Sequence, residues 1–202
     1  MRLYDTYLAA RIRRHEANPP RRVAVVLTER DLLEQGAYGT LESFLRWAIE
    51  YGAEQVTVSV SVLDESVIPT LERSFRGVSA PRDASIRGPE RTDTADAPIQ
   101  FNIGLGGKRE FTAAVSDIAA DVEAGSIDPD TIDEGTISDR LVFPEEPDLV
   151  IKTGAERLSD FLIWQSVYSE LYFTDVNWRD FRKRDYLRAI LEYQNRNRRF
   201  GR

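Results

Sequence analysis

The 202-residue chain contains no cysteine. Disulfides and thiolate metal sites are therefore excluded, and an intracellular location is expected. A single histidine, His15, leaves no material for histidine-based acid–base or zinc chemistry. Lysine occurs only at Lys108, Lys152 and Lys183, so arginine supplies nearly all of the 27 basic residues. No apolar run reaches the length of a membrane span, and the charged N-terminus is unlike a signal peptide. The expected location is cytoplasmic, with peripheral contact to a membrane surface as the alternative. Positive charge is also in deficit: the formal net charge of -7 argues against a nucleic-acid backbone as partner.

What the chain does have is a core. Hydrophobic residues make up 42% of it and are spread evenly, which predicts one globular domain over residues 1–202. Tyr4 to His15 has a helical apolar stripe of Tyr4, Leu8 and Ile12, with Arg11, Arg13 and Arg14 elsewhere. That helix either packs on its own domain or rests on anionic lipid. Residues 1–20 are read as this helix and its linker, closed by Asn18-Pro19-Pro20. Val23–Leu27 is a continuous apolar run, as in a strand covered on both faces. A helix over Thr40–Tyr51, a strand over Val56–Leu63 and a short helix over Pro69–Phe75 follow. Residues 76–98 carry little apolar content and read as a long loop. Ile99–Ile103 is the next strand, and Phe111, Ala114, Val115, Ile118 and Val122 mark a helix ending at Gly125. A short helix near Ile132–Leu141, a strand at Leu149 and a last helix over Lys183–Arg198 complete the pattern. Strands alternating with helices predict an α/β fold: a mostly parallel central sheet flanked by helices. Ligands in such sheets sit beyond the carboxyl ends of the strands, where Thr28 and Lys152 should lie.

The stretch from Pro147 to Val176 carries the chemistry. Its apolar run breaks at Lys152-Thr153-Gly154 and is followed by Arg157, Ser159 and Glu170, the last between Tyr168 and Tyr172. A cation, a glycine turn and a hydroxyl past a strand end suit a pyrophosphate: guanidinium forks grip phosphate oxygens, and a glycine turn lets backbone N–H groups approach. The alternative is that these groups are held by Glu156 or Asp160 in salt bridges. Glu170 reads either as a metal-facing carboxylate or as a buried, paired acid.

These residues also carry a resemblance. Asp148, Leu149, Ile151, Thr153, Gly154, Glu156, Arg157, Ser159, Phe161, Trp164, Gln165, Glu170–Phe173, Trp178, Asp180 and Phe181 follow in order the signature of cis-prenyltransferases, the family of undecaprenyl and dehydrodolichyl diphosphate synthases. Gly106-Gly107-Lys108-Arg109-Glu110 is similar to its Gly-Gly-Arg element, and Arg199-Phe200-Gly201 to its C-terminal Arg-x-Gly. The resemblance implies a dimeric fold of this type, isopentenyl diphosphate held at Lys152, Arg157 and Ser159, and a part for Glu170 in holding magnesium. It further implies that Arg199 and Gly201 complete a partner's phosphate site, and that chains elongate in an apolar tunnel between helices and sheet.

The departures from the pattern are specific. Where the family follows its first strand with Asp-Gly-Asn-Gly, this chain has Thr28-Glu29-Arg30-Asp31, and no glycine appears before Gly36. Amides can approach a pyrophosphate closely only where no Cβ intervenes, and threonine is a poor magnesium ligand beside a carboxylate. Glu29 and Asp31 are either substitute ligands or part of a solvated turn. The family's Phe-Ser-x-Glu-Asn-Trp is replaced by Val62-Leu63-Asp64-Glu65-Ser66. The segment after it is short, which predicts loss of one strand and of part of the tunnel wall. Lys152 replaces an arginine and loses its fork geometry.

A ruined allylic site beside a well-kept C-terminal half reads first as a non-catalytic or weakly active subunit, of the Nogo-B receptor type, paired with a complete homologue. Its catalytic residues would then be none, and magnesium would act in the complex. The alternatives are an active homodimeric polyprenyl diphosphate synthase with a divergent allylic site, or a non-enzymatic interaction scaffold.

Overall fold

A computed structural model describes residues 2–89, 97–141, 146–154, 164 and 166–196. Six strands form one sheet: β1 (Arg22–Thr28), β2 (Gln55–Ser61), β3 (Ala84–Arg87), β4 (Ile99–Ile103), β5 (Leu149–Thr153) and β6 (Glu170–Thr174). Their order is β3-β4-β2-β1-β5-β6, and all five pairings are parallel. The apolar run of β1 follows from its central place. Val23, Val25 and Leu27 face the larger core, while Ala24 and Val26 face a smaller one with Val150.

Helices α1 (Arg2–Arg14), α2 (Glu29–Leu33), α3 (Ala37–Glu50), α4 (Ile68–Arg76), α5 (Gly107–Glu123), α6 (Glu134–Ser138) and α7 (Lys183–Asn195) flank the sheet. In α3, Leu41, Phe44, Leu45 and Ala48 repeat at helical spacing and are wholly buried. Phe44 meets Trp178, Phe181 and Tyr186 edge-on, with centroids 5.8, 6.3 and 5.4 Å away. Trp178 Nε1 also donates to the Ala37 carbonyl at 3.1 Å, so the tryptophan and phenylalanine of the Trp-x-Asp-Phe motif serve the core. Helix α1 buries Leu8, Ala9 and Ile12 and packs on α7. His15 joins in through Asn195, 3.1 Å from its Nε2. No helix among the described residues is long and apolar enough to cross a membrane.

Two expectations need correction. Residues 76–98 are not one long loop: β3 lies within them and pairs with β4, and residues 90–96 fall outside the described part. For the same reason the shortened segment has not cost the sheet a strand. An edge strand such as Ala84-Ser85-Ile86-Arg87 needs only one large apolar side chain, which leaves its sequence signal weak.

Candidate functional site

The chain passes from β1 to β2 on one side and returns to β5 on the other, so the order reverses between β1 and β5. The crevice beyond the carboxyl ends of these strands is the natural ligand position of an open parallel sheet. Val26 pairs with Lys152, and Thr28 ends β1 two residues further on. Strand register alone therefore brings the two groups together.

Lys152 is 4% exposed, and its Nζ donates to the Thr153 carbonyl at 2.9 Å. No described carboxylate pairs with it. A buried ammonium held by one neutral carbonyl is incompletely compensated, which makes it receptive to an anion. Gly154 turns the chain away from β5 with φ +76°, a conformation that favours glycine even though its missing Cβ would meet open space. Its N–H donates to the Val176 carbonyl at 3.0 Å.

Thr28 plays a local part. Its hydroxyl caps α2 by accepting from the Asp31 N–H at 3.3 Å, while Asp31 Oδ2 accepts from the Thr28 N–H and hydroxyl at 2.8 and 2.9 Å. Glu29 Oε2 accepts from the N–H groups of Leu63 and Asp64 at 3.0 and 3.4 Å. Both candidate substitute ligands are thus engaged in holding backbone. Glu170 starts β6 opposite Leu149, level with Val23, so it lies about 16 Å down the sheet from Thr28. Its Oε2 accepts from Arg196 Nη1 at 2.7 Å, the paired-acid arrangement. Within one chain a metal role shared by Glu170 and position 28 is not met, because the register separates them. No cluster of three or more histidine or acidic side chains suited to a metal occurs among the described residues. Among the described residues, then, none is placed to hold magnesium in this crevice.

Arg157, Ser159, Arg199 and Gly201 lie outside the described residues. Asp148, part of the motif, is structural: its Oδ2 accepts from the N–H groups of Arg21 and Arg22 at 2.7 and 2.9 Å, at the amino end of β1.

One feature escapes a linear reading of the sequence. Arg87, Asn102, Ser59, Val26 and Lys152 stand in one row across the sheet. Asn102 is 1% exposed, and neither of its amide atoms has a hydrogen-bond partner among the described residues. Its signal was the alternation in Ile99-Gln100-Phe101-Asn102-Ile103, polar at every second position of a fully buried strand. The opposite face differs: Phe75 stacks on Phe101 at 4.6 Å and meets Tyr38 edge-on at 5.9 Å. Close-packed rings occupy the space between α4 and the sheet.

Residues 82–201 match the family model described as "Putative undecaprenyl diphosphate synthase". A relative from Methanopyrus kandleri, tritrans,polycis-undecaprenyl-diphosphate synthase (geranylgeranyl-diphosphate specific), is 37% identical over 198 residues, covering 80% of this chain and 73% of its own. The chain belongs to the undecaprenyl diphosphate synthase family of prenyltransferases. A synthase of the same description from Thermoplasma volcanium is 52% identical over 107 residues, covering 52% of this chain and 42% of its own. An isoprenyl transferase from Lactobacillus johnsonii is 44% identical over 118 residues, 55% of this chain and 49% of its own, so against these two the chain spans less than half of the relative. The fold is that of lavandulyl diphosphate synthase from Lavandula x intermedia, solved with dimethylallyl diphosphate (TM-score 0.75, 24% identity, 91% of this chain and 99% of that one). A structure from Campylobacter jejuni described as a probable undecaprenyl diphosphate synthase agrees as well (TM-score 0.68, 19% identity, 92% and 100%). The family match takes in Lys152, Arg157, Ser159, Glu170, Arg199 and Gly201, while Thr28 lies before it.

Proposed function

We propose that this family member condenses isopentenyl diphosphate with an allylic diphosphate to make a polyprenyl diphosphate, using an allylic site built differently from the family's Asp-Gly-Asn-Gly turn. The observation that carries this is Lys152, a buried ammonium without a described carboxylate partner, at the point where the strand order reverses. The relatives above, named as synthases and transferases rather than as accessory chains, favour an active enzyme over a silent subunit. In the reaction the isopentenyl double bond attacks the allylic carbon that carries diphosphate. A carbon–carbon bond forms, diphosphate leaves, and a proton is lost to give a new cis double bond. Lys152, with Arg157 and Ser159 by family resemblance, would hold the isopentenyl diphosphate. A charge-assisted contact of this kind contributes about 1.5–3 kcal/mol. No described carboxylate is placed to hold magnesium.

The proposed partner is a second copy. Strand β6 is a sheet edge, and Val167, Tyr168 and Phe173 beside it are more than half exposed. A dimer across this edge would give Arg199, Gly201 and Glu170 a neighbour's site to act on.

The reciprocal cap of Thr28 and Asp31 favours a second reading, that of an accessory subunit, because it leaves the end of β1 without a free carboxylate or a glycine turn. One assay separates the readings: prenyl synthesis by this chain alone, by an intact homologue alone, and by both. Product from the chain alone supports the enzyme. Stimulation of the homologue without activity alone supports the subunit, and neither result leaves only a scaffold.

A further inference from the structure

Helix α1 has two faces, and the fold uses one of them. Leu8, Ala9 and Ile12 are buried against the domain, and Asp5, the only acid of the helix, shares their stripe and is half-buried. The apolar stripe that amphipathy alone would offer to lipid is thus spent inside the protein. Solvent meets the opposite face. There Leu3 is 88% exposed and Tyr7, one turn on, is 54% exposed. Arg11 and Arg14 continue the same row and are exposed as well. Tyr4 stacks on Tyr7 at 6.3 Å, the Arg11 guanidinium lies over the Tyr7 ring at 5.9 Å, and Arg188 of α7 lies over Tyr4 at 5.4 Å. Single exposed apolar residues are ordinary on a protein surface, but a contiguous group ringed by one sign of charge marks a contact surface. On a chain of net charge -7, that sign is positive.

We infer that this outer face of α1 docks the protein on a bilayer that contains anionic lipid, with Leu3 and Tyr7 among the head groups and Arg11 and Arg14 on the phosphates. Tyrosine rings settle at head-group depth, and an arginine can lay its apolar stem along the acyl boundary while its charge stays at the phosphates. Each arginine near an anionic surface strengthens binding by about fivefold. The rest of the chain, acidic in sum, is repelled by the same surface, so only this face can approach and the orientation is fixed. A second copy is a poorer occupant, because two such faces set guanidinium against guanidinium. The docking needs nothing from the reaction proposed above. It goes beyond that reading by placing the chain beside the phase in which a polyprenyl product dissolves.

The test is co-sedimentation of the full chain with vesicles of phosphatidylcholine alone, or of phosphatidylcholine and phosphatidylglycerol in equal parts. The chain should bind the anionic vesicles, leave the neutral ones, and bind less tightly as salt is raised. Arg11→Gln with Arg14→Gln should weaken binding by roughly 25-fold, and Arg11→Lys with Arg14→Lys should retain it. Leu3→Ser with Tyr7→Ser should weaken it by about tenfold or more. All four side chains are exposed, so the urea midpoint of each double variant should match that of wild type, which separates lost docking from a lost fold. A wild-type chain that stays in solution with anionic vesicles, or binds neutral ones equally, overturns the inference. So does a glutamine or serine double variant that binds as wild type does. A chain that ignores vesicles but self-associates through Leu3 and Tyr7 overturns it too, and assigns the face to a second copy.

Discussion

Asp31 Oδ2 accepts hydrogen bonds from both the N–H and the hydroxyl of Thr28, at 2.8 and 2.9 Å, while the Thr28 hydroxyl receives the Asp31 N–H at 3.3 Å. The pair starts a single helical turn immediately after β1. Where a phosphate-binding loop would present glycine amides, this chain presents a closed cap. Among the described residues, the buried cation of the crevice is on the β5 side, at Lys152.

Thr28→Ala should behave as loss of a cap. A cost of about 1 kcal/mol in unfolding free energy is expected. Isopentenyl diphosphate binding, measured by calorimetry, should stay within about twofold, well under the 1.4 kcal/mol that makes a factor of ten. A large loss of binding would give Thr28 a direct part in the site.

Lys152→Met keeps the length of the side chain and removes its charge. Isopentenyl diphosphate affinity should fall by roughly 10- to 150-fold, the worth of one charge-assisted hydrogen bond. Stability should hold or rise, because an ammonium buried without a counter-charge is itself costly. Lys152→Arg should retain binding, since a guanidinium grips a diphosphate with two parallel bonds.

Phe101→Ala should cost about 3–5 kcal/mol in chemical denaturation, the penalty for a ring removed from a close-packed interior. A cost near zero would mean that the α4 face already contains open space.

Acid should weaken the α6 cap. The Asp133 carboxylate accepts from the Thr136 N–H at 2.9 Å, and hydrogen bonds to Thr136 hold its pKa below the ordinary carboxylate value. A depressed folded pKa means that the stabilisation is complete above the unfolded value and disappears as pH falls through the folded one. Asp133→Asn should therefore be less sensitive to acid than wild type, which urea midpoints at neutral and acidic pH would show.

Much of this was legible in the sequence, for physical reasons. The uninterrupted Val23–Leu27 run can only be a strand covered on both faces, and the spacing of Leu41, Phe44, Leu45 and Ala48 can only bury one side of a helix. From strand–helix alternation alone, Thr28 and Lys152 belong at the carboxyl ends of the sheet's strands. Strand β3 was hidden because an edge strand with one large apolar residue looks like a loop. Strand β6 was hidden because Glu170-Leu171-Tyr172-Phe173-Thr174 buries none of its side chains fully and shows no polar–apolar alternation. Whether Glu170 sits at the crevice depends on the direction and register of β6, and no local pattern encodes either. The buried row through Asn102 is likewise a property of neighbouring strands, not of β4 alone.

The most direct measurement is a crystal structure of the chain with isopentenyl diphosphate. The diphosphate is predicted beyond the carboxyl ends of β1 and β5, with Lys152 Nζ swung from the Thr153 carbonyl onto a phosphate oxygen. Density for the ligand elsewhere, with Nζ still on Thr153, would contradict the account.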